Sequence, residues 1–141
     1  MIQKDEMIPM LLAACPGFRP RWDEHVASWK GEPAGLYIQI GEFVAYLLDA
    51  YEQGQTDCVR AAFDMLERFL IEGDAETKEL AVIGLVEDVQ NASSWRPFGA
   101  KAFLPFLGPH SQMGWAAVER MWCGKSSLAD VIRAERGEGK S

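Results

Sequence analysis

Histidine and cysteine are scarce in this chain, at two and three of 141 residues. Cys15, Cys58 and Cys123 are odd in number and far apart, with no Cys-x-x-Cys spacing. That argues against a disulfide framework and supplies no zinc set. The ordinary reading of each is a small helix-packing residue. His25 and His110 are remote from each other, and neither has a spaced metal or nucleophile partner. His110, after Gly108-Pro109, is expected at the surface. There is no His-x-x-x-His, Gly-x-Ser-x-Gly, phosphate-loop or dinucleotide fingerprint. Gly-Lys-Ser occurs at 124–126 and 139–141, each time without the upstream glycine a phosphate loop needs. No cofactor, metal or catalytic activity is therefore expected.

Long apolar runs are also missing, and none approaches the ~18 residues of a spanning helix. The opening residues Met1-Ile2-Gln3-Lys4-Asp5-Glu6 carry acid where a signal peptide carries base. The expectation is a cytoplasmic chain with no membrane contact. What is present is enough apolar material for a core: 48% hydrophobic against 25% charged residues. One domain over 1–136 with a fraying tail at 137–141 fits that length.

Hydrophobic spacing follows the helical period throughout, and no segment alternates as a strand does. A first helix is expected over 5–14, with Met7, Met10, Leu11 and Ala14 on one face and Pro16-Gly17 as its stop. A second over 20–30 carries the stripe Trp22, Val26 and Trp29. Helices over 36–52 and 57–72 bury Ile40, Phe43, Val44, Leu47, Leu48 and Tyr51, then Val59, Ala62, Phe63, Leu66, Phe69 and Leu70. Gly54 and Gly73 end them. Asp74 caps a helix to Asn91 whose Leu80, Val82, Ile83, Leu85, Val86 and Val89 point almost all ways, which marks it as central. Short helices over 98–107, 110–123 (through Met113, Ala117, Met121 and Trp122) and 127–135 complete the chain. The joints after Glu52 and Glu72 are short, so neighbouring helices run antiparallel. The fold class is all-α, a compact multi-helix bundle with HEAT-like stacking favoured over a plain up-down bundle.

Charge is unevenly placed. Residues 42–91 hold twelve acids and three bases, while 92–141 hold four acids and seven bases, within a net charge of −7. A segment of −9 repels a phosphate backbone, so nucleic acid is not an expected partner, whereas a basic protein surface is attracted. Solvated helix faces account for such acidity equally well. Glu87 follows the Leu80, Ile83 and Gly84 side of its helix toward the core. An acid–base role there lacks partners, so a structural acceptor is the stronger reading. Gly84, costly inside a helix, predicts close approach of a neighbour. Of five tryptophans, most are expected in helix crossings. Trp95, in Ser-Ser-Trp-Arg-Pro, is the one best suited to anchor a partner.

The entry over Met7–Trp29, the joint Glu72-Gly73-Asp74 and the helix ending Gly84-Leu85-Val86-Glu87-Asp88-Val89-Gln90-Asn91 resemble a group of small bacterial helical proteins. Members are often found beside polymorphic-toxin genes and look like immunity proteins. The resemblance spans most of 7–123 and implies no catalytic residues. It implies neutralisation of a cognate toxin by direct contact. The acidic faces supply the expected contacts, Glu42, Asp49, Glu52, Asp57, Asp64 and Glu67, together with Trp95. A regulatory or scaffold module with another protein partner is the alternative.

Overall fold

A computed structural model describes residues 1–32 and 34–121. Its helices are α1 (Met7–Ala14), α2 (Arg19–Ser28), α3 (Leu36–Glu52), α4 (Thr56–Glu72), α5 (Ala75–Leu80), α6 (Asp88–Ser93) and α7 over 109–121. A π-helical segment, Ala81–Glu87, joins α5 to α6, and a 3-10 segment, Ala100–Phe106, precedes α7. The all-α class is therefore correct. Among the described residues no helix is long and apolar enough to cross a membrane. The expected helix at 127–135, the tail at 137–141, Trp122 and Cys123 lie outside the described residues.

The frame is the α3–α4 hairpin. Ile40, Phe43, Val44, Leu47 and Leu48 of α3 meet Val59, Ala62, Phe63, Leu66 and Phe69 of α4, all buried as their spacing predicts. Each of these Val, Leu, Ile and Phe side chains contributes roughly 1.5–3 kcal/mol by leaving water. Gly54, at φ +78°, makes the reversal between the helices. α1 lies across both helices through Met7, Ile8 and Leu11.

The second joint is tied to the N-terminus. Asp74 caps α5 by accepting from the Thr77 backbone N–H at 2.9 Å. Ile2 N–H donates to the Glu72 carbonyl and Asp74 N–H to the Ile2 carbonyl, both at 2.9 Å. The Thr77 hydroxyl donates to that same Ile2 carbonyl at 3.0 Å. Gly73 sits under this clasp, where a Cβ would strike the Phe69 carbonyl and come within 2.8 Å of the Thr77 methyl.

The expectation for 74–91 needs one correction. Leu80, Ala81, Leu85, Val86 and Val89 are buried, but Ile83 faces outward and Val82 is only half-buried. The π-helical turn shifts the phase of the side chains there. The π-helical segment lies against both α3 and α4, and α3 packs against α1, α2, α4, the π-helical segment and α6. Gly84 does mark a close approach: a Cβ there would lie 3.3 Å from Ile40 of α3.

Two other faces differ from their predicted stripes. Val26 of α2 and Trp29 at its C-cap are exposed, while His25 is buried. In α7, Met113 and Met121 are exposed and Ala117 faces solvent, while Ser111, Trp115 and Val118 are buried. Sequence periodicity alone did not separate a Met stripe from a Ser–Trp–Val stripe. The α7 phase is set by Gln90, whose side-chain N–H donates to the Trp115 carbonyl at 2.9 Å, and by Glu67.

Candidate functional site

The carboxylates of α3 that face α2 and the 94–97 loop are held by two guanidiniums. Arg21 of α2 donates to Glu42 and to Asp49, each at 3.1 Å. Arg96 donates to the second oxygen of Asp49 and to Glu52, again at 3.1 Å. Glu42, Asp49 and Glu52 recur at seven and three residues on α3, so a single helix face presents them all. The bridge fastens α2 and the loop after α6 onto α3.

Beside the bridge stands Trp95, with 86% of its surface exposed. Its loop is not slack. Trp95 N–H donates to the Ala92 carbonyl at 3.2 Å, Arg96 N–H to Ser93 at 3.0 Å, and Gly99 N–H to Arg96 at 3.1 Å. The Ser94 hydroxyl donates to the Asn91 carbonyl at 2.6 Å. With Arg96 gripped by two carboxylates, the indole projects from a backbone that is already ordered.

Between α2 and α3 runs an open groove of about 790 Å³. Arg21, Glu24, His25 and Trp29 line it from α2, and Ile38, Glu42 and Asp49 from α3. The His25 ring stacks on Trp22 at 5.4 Å between centroids. It is 92% buried by its relative exposure of 8%. Its Nδ1 lies 3.8 Å from Glu42 Oε1, beyond hydrogen-bond length.

Of the other expected contacts, Asp57 and Asp64 face outward from α4. Glu67 does not. Its carboxylate caps α7, accepting from the backbone N–H of His110 at 2.7 Å and of Ser111 at 2.9 Å, and from the Ser111 hydroxyl. His110 Nδ1 is also 2.9 Å away. Burial would raise the Glu67 pKa, but these donors outweigh it and hold the group down at about 2. Gly108 leaves room for the carboxylate, which a Cβ would approach to 2.7 Å. No sequence signal pairs Glu67 with residues some forty positions on.

Glu87 is half-buried and makes no hydrogen bond or ion pair among the described residues. Its neighbour Asp88 is the carboxylate pressed on α3, within 3.6 Å of where a Gly41 Cβ would stand. Burial first, and the Glu87 charge second, raise the Asp88 pKa. Cys15 is buried and donates to the Cys58 carbonyl at 3.3 Å. Burial pushes its thiol well above the usual range, which suits packing better than nucleophilic chemistry. Among the described residues no set of three His, Cys, Asp or Glu is placed to hold a metal ion.

Residues 8–123 match the model of a domain of unknown function, DUF7674. The chain belongs to that family. The match extends over nearly the same residues as the resemblance read from the sequence, and it takes in both the charged bridge and the Trp95 loop. No curated protein and no solved structure matches the chain.

Proposed function

We propose that this DUF7674 chain is a protein-binding module, and in its specific form an immunity-type protein that neutralises a cognate toxin by direct contact. The observation that carries the reading is Trp95. A large indole 86% exposed, on a loop already fixed by Arg96 and its own turns, can bury much apolar area with little ordering cost. The outward carboxylates Asp57 and Asp64 of α4, with the partly exposed bridge, add acidic surface that favours a basic partner.

The test is co-expression with the product of the adjacent gene, followed by calorimetry on the purified complex. A stable complex is expected, weakened roughly 30-fold or more in Trp95→Ala. Asp57→Lys with Asp64→Lys should slow association and flatten its salt dependence. Failure to form a complex would remove the toxin partner, and binding indifferent to Trp95→Ala would remove the anchor. If the adjacent gene encodes no toxin yet its product binds through Trp95, the chain is a regulatory or scaffold module.

A further inference from the structure

Two of the three cysteines, 43 residues apart along the chain, meet in the fold. Cys15 is the C-cap of α1, and Cys58 lies in the first turn of α4. Both thiols are free. Cys15 Sγ donates to the Cys58 carbonyl at 3.3 Å. Burial first, and then the Cys58 side chain beside it, hold the Cys15 thiol in its protonated form. Cys58 Sγ is in turn hydrogen-bonded to the Tyr46 hydroxyl at 3.4 Å. That hydroxyl packs on Gly17, where a Cβ would come within 2.5 Å of it. A glycine two residues after Cys15 thus leaves the room in which Tyr46 reaches the Cys58 sulfur.

The N-terminal segment runs along α4 with its two ends held differently. At one end Ile2 is fixed to Glu72 and Asp74 by backbone hydrogen bonds. At the other, no backbone hydrogen bond joins α1 to α4 among the described residues, and apolar packing is helped only by the weak thiol donor of Cys15. The two sulfurs also differ in access. Cys15 is 1% exposed, whereas Cys58 is only half-buried. Tyr46, beside it, borders the open groove between α2 and α3. A small oxidant arriving from solvent therefore meets Cys58 first.

We infer that Cys15 and Cys58 form a reversible disulfide, with hydrogen peroxide as the oxidant, that staples the end of α1 to the start of α4. The Cys58 sulfur attacks a peroxide oxygen, the O–O bond breaks, and the other oxygen leaves as water with the thiol proton. The product is a sulfenic acid at Cys58. The Cys15 sulfur then attacks that sulfur. An S–S bond forms, the S–O bond breaks, and hydroxide departs as water with the Cys15 proton. The two thiols together lose two electrons, and one peroxide becomes two waters. Burial makes Cys15 a poor first nucleophile, and the second step asks less of it because its target is already adjacent.

The full chain is treated with hydrogen peroxide without denaturant, remaining thiols are alkylated, and tryptic peptides are weighed before and after dithiothreitol. The main cross-linked species should join the Cys15 and Cys58 peptides with the loss of two hydrogens, and dithiothreitol should separate them. Closing a 43-residue loop constrains the unfolded chain, so the oxidised protein should melt roughly 5 °C or more above the reduced one. Cys15→Ser keeps a donor for the Cys58 carbonyl. It should stop at a Cys58 sulfenic acid, captured by dimedone, with no gain in Tm. Cys58→Ser should leave the buried Cys15 unoxidised. No oxidation of Cys58, a Cys15–Cys58 link that forms only in urea, a dominant link to Cys123, or an oxidised chain that melts no higher would each overturn the pair. None of these readouts depends on Trp95 or on the adjacent-gene product.

Discussion

Glu67 and Asp88 are both partly buried carboxylates, and their surroundings push them in opposite directions. Glu67 is held at about 2 by donors from α7. Its folded pKa lies below its unfolded one, so its contribution to stability is present above about pH 4.5 and lost as pH falls toward 2. With its side chain only 17% exposed, that contribution is on the order of 2–3 kcal/mol. Glu67→Gln should cost about 2 kcal/mol in urea melts at pH 7 and much less at pH 2.5, because the charged cap is already being protonated there. Asp88 has the reverse sign. Its folded pKa is raised, so its ionised form opposes folding at neutral pH, and stability is recovered as pH drops. Asp88→Asn should therefore raise Tm at pH 7, with the gain vanishing near pH 3. A loss of Tm at pH 7 would mean that the carboxylate has a partner after all.

At the scale of elements, the clasp of Ile2 on the Glu72–Asp74 joint decides where α4 stops and α5 begins. Gly73 is needed there for space, since its φ of −74° is open to any residue. Gly73→Ala should destabilise by about 2 kcal/mol, because the added methyl meets a backbone carbonyl that cannot yield. Removing residues 1–3 should lower stability in the same denaturant assay, through the lost Ile2 hydrogen bonds and its burial. The α3–α4 hairpin was readable because its apolar stripes are long and its joint carries glycine. The buried face of α7 was not, because Met113 and Met121 look as hydrophobic in sequence as Trp115 and Val118, and only the Glu67 and Gln90 contacts fix the rotation. The exposure of Trp29 and burial of His25 escaped for a similar reason: α2 is short and aromatic on two sides.

Across the whole molecule, the acidity of residues 42–91 is partly engaged within the fold and partly turned to solvent. Glu42, Asp49 and Glu52 hold α2 and the Trp95 loop onto α3, while Asp57 and Asp64 remain turned to solvent. Charge reversal should separate them. Asp49→Lys faces two arginines and should lower stability by more than about 1 kcal/mol, whereas Asp64→Lys should stay within about 0.5 kcal/mol. Arg96→Ala should release the loop, seen as faster amide exchange over 94–97, with a stability loss of only about 1 kcal/mol because these pairs are partly exposed. An unchanged exchange rate would show that the turns alone order Trp95.

By itself the sequence determined the all-α class, the α3–α4 hairpin, the Asp74 cap, the close approach at Gly84 and the concentration of acid in the middle of the chain. Those are local properties, set by spacing, capping chemistry and composition. Only the tertiary structure decided which carboxylates are engaged, that Glu67 caps a helix rather than facing outward, and that His25 and Trp29 border a groove. Such assignments depend on pairs of residues distant along the chain, and one-dimensional periodicity carries no record of which face of one helix meets which donor of another.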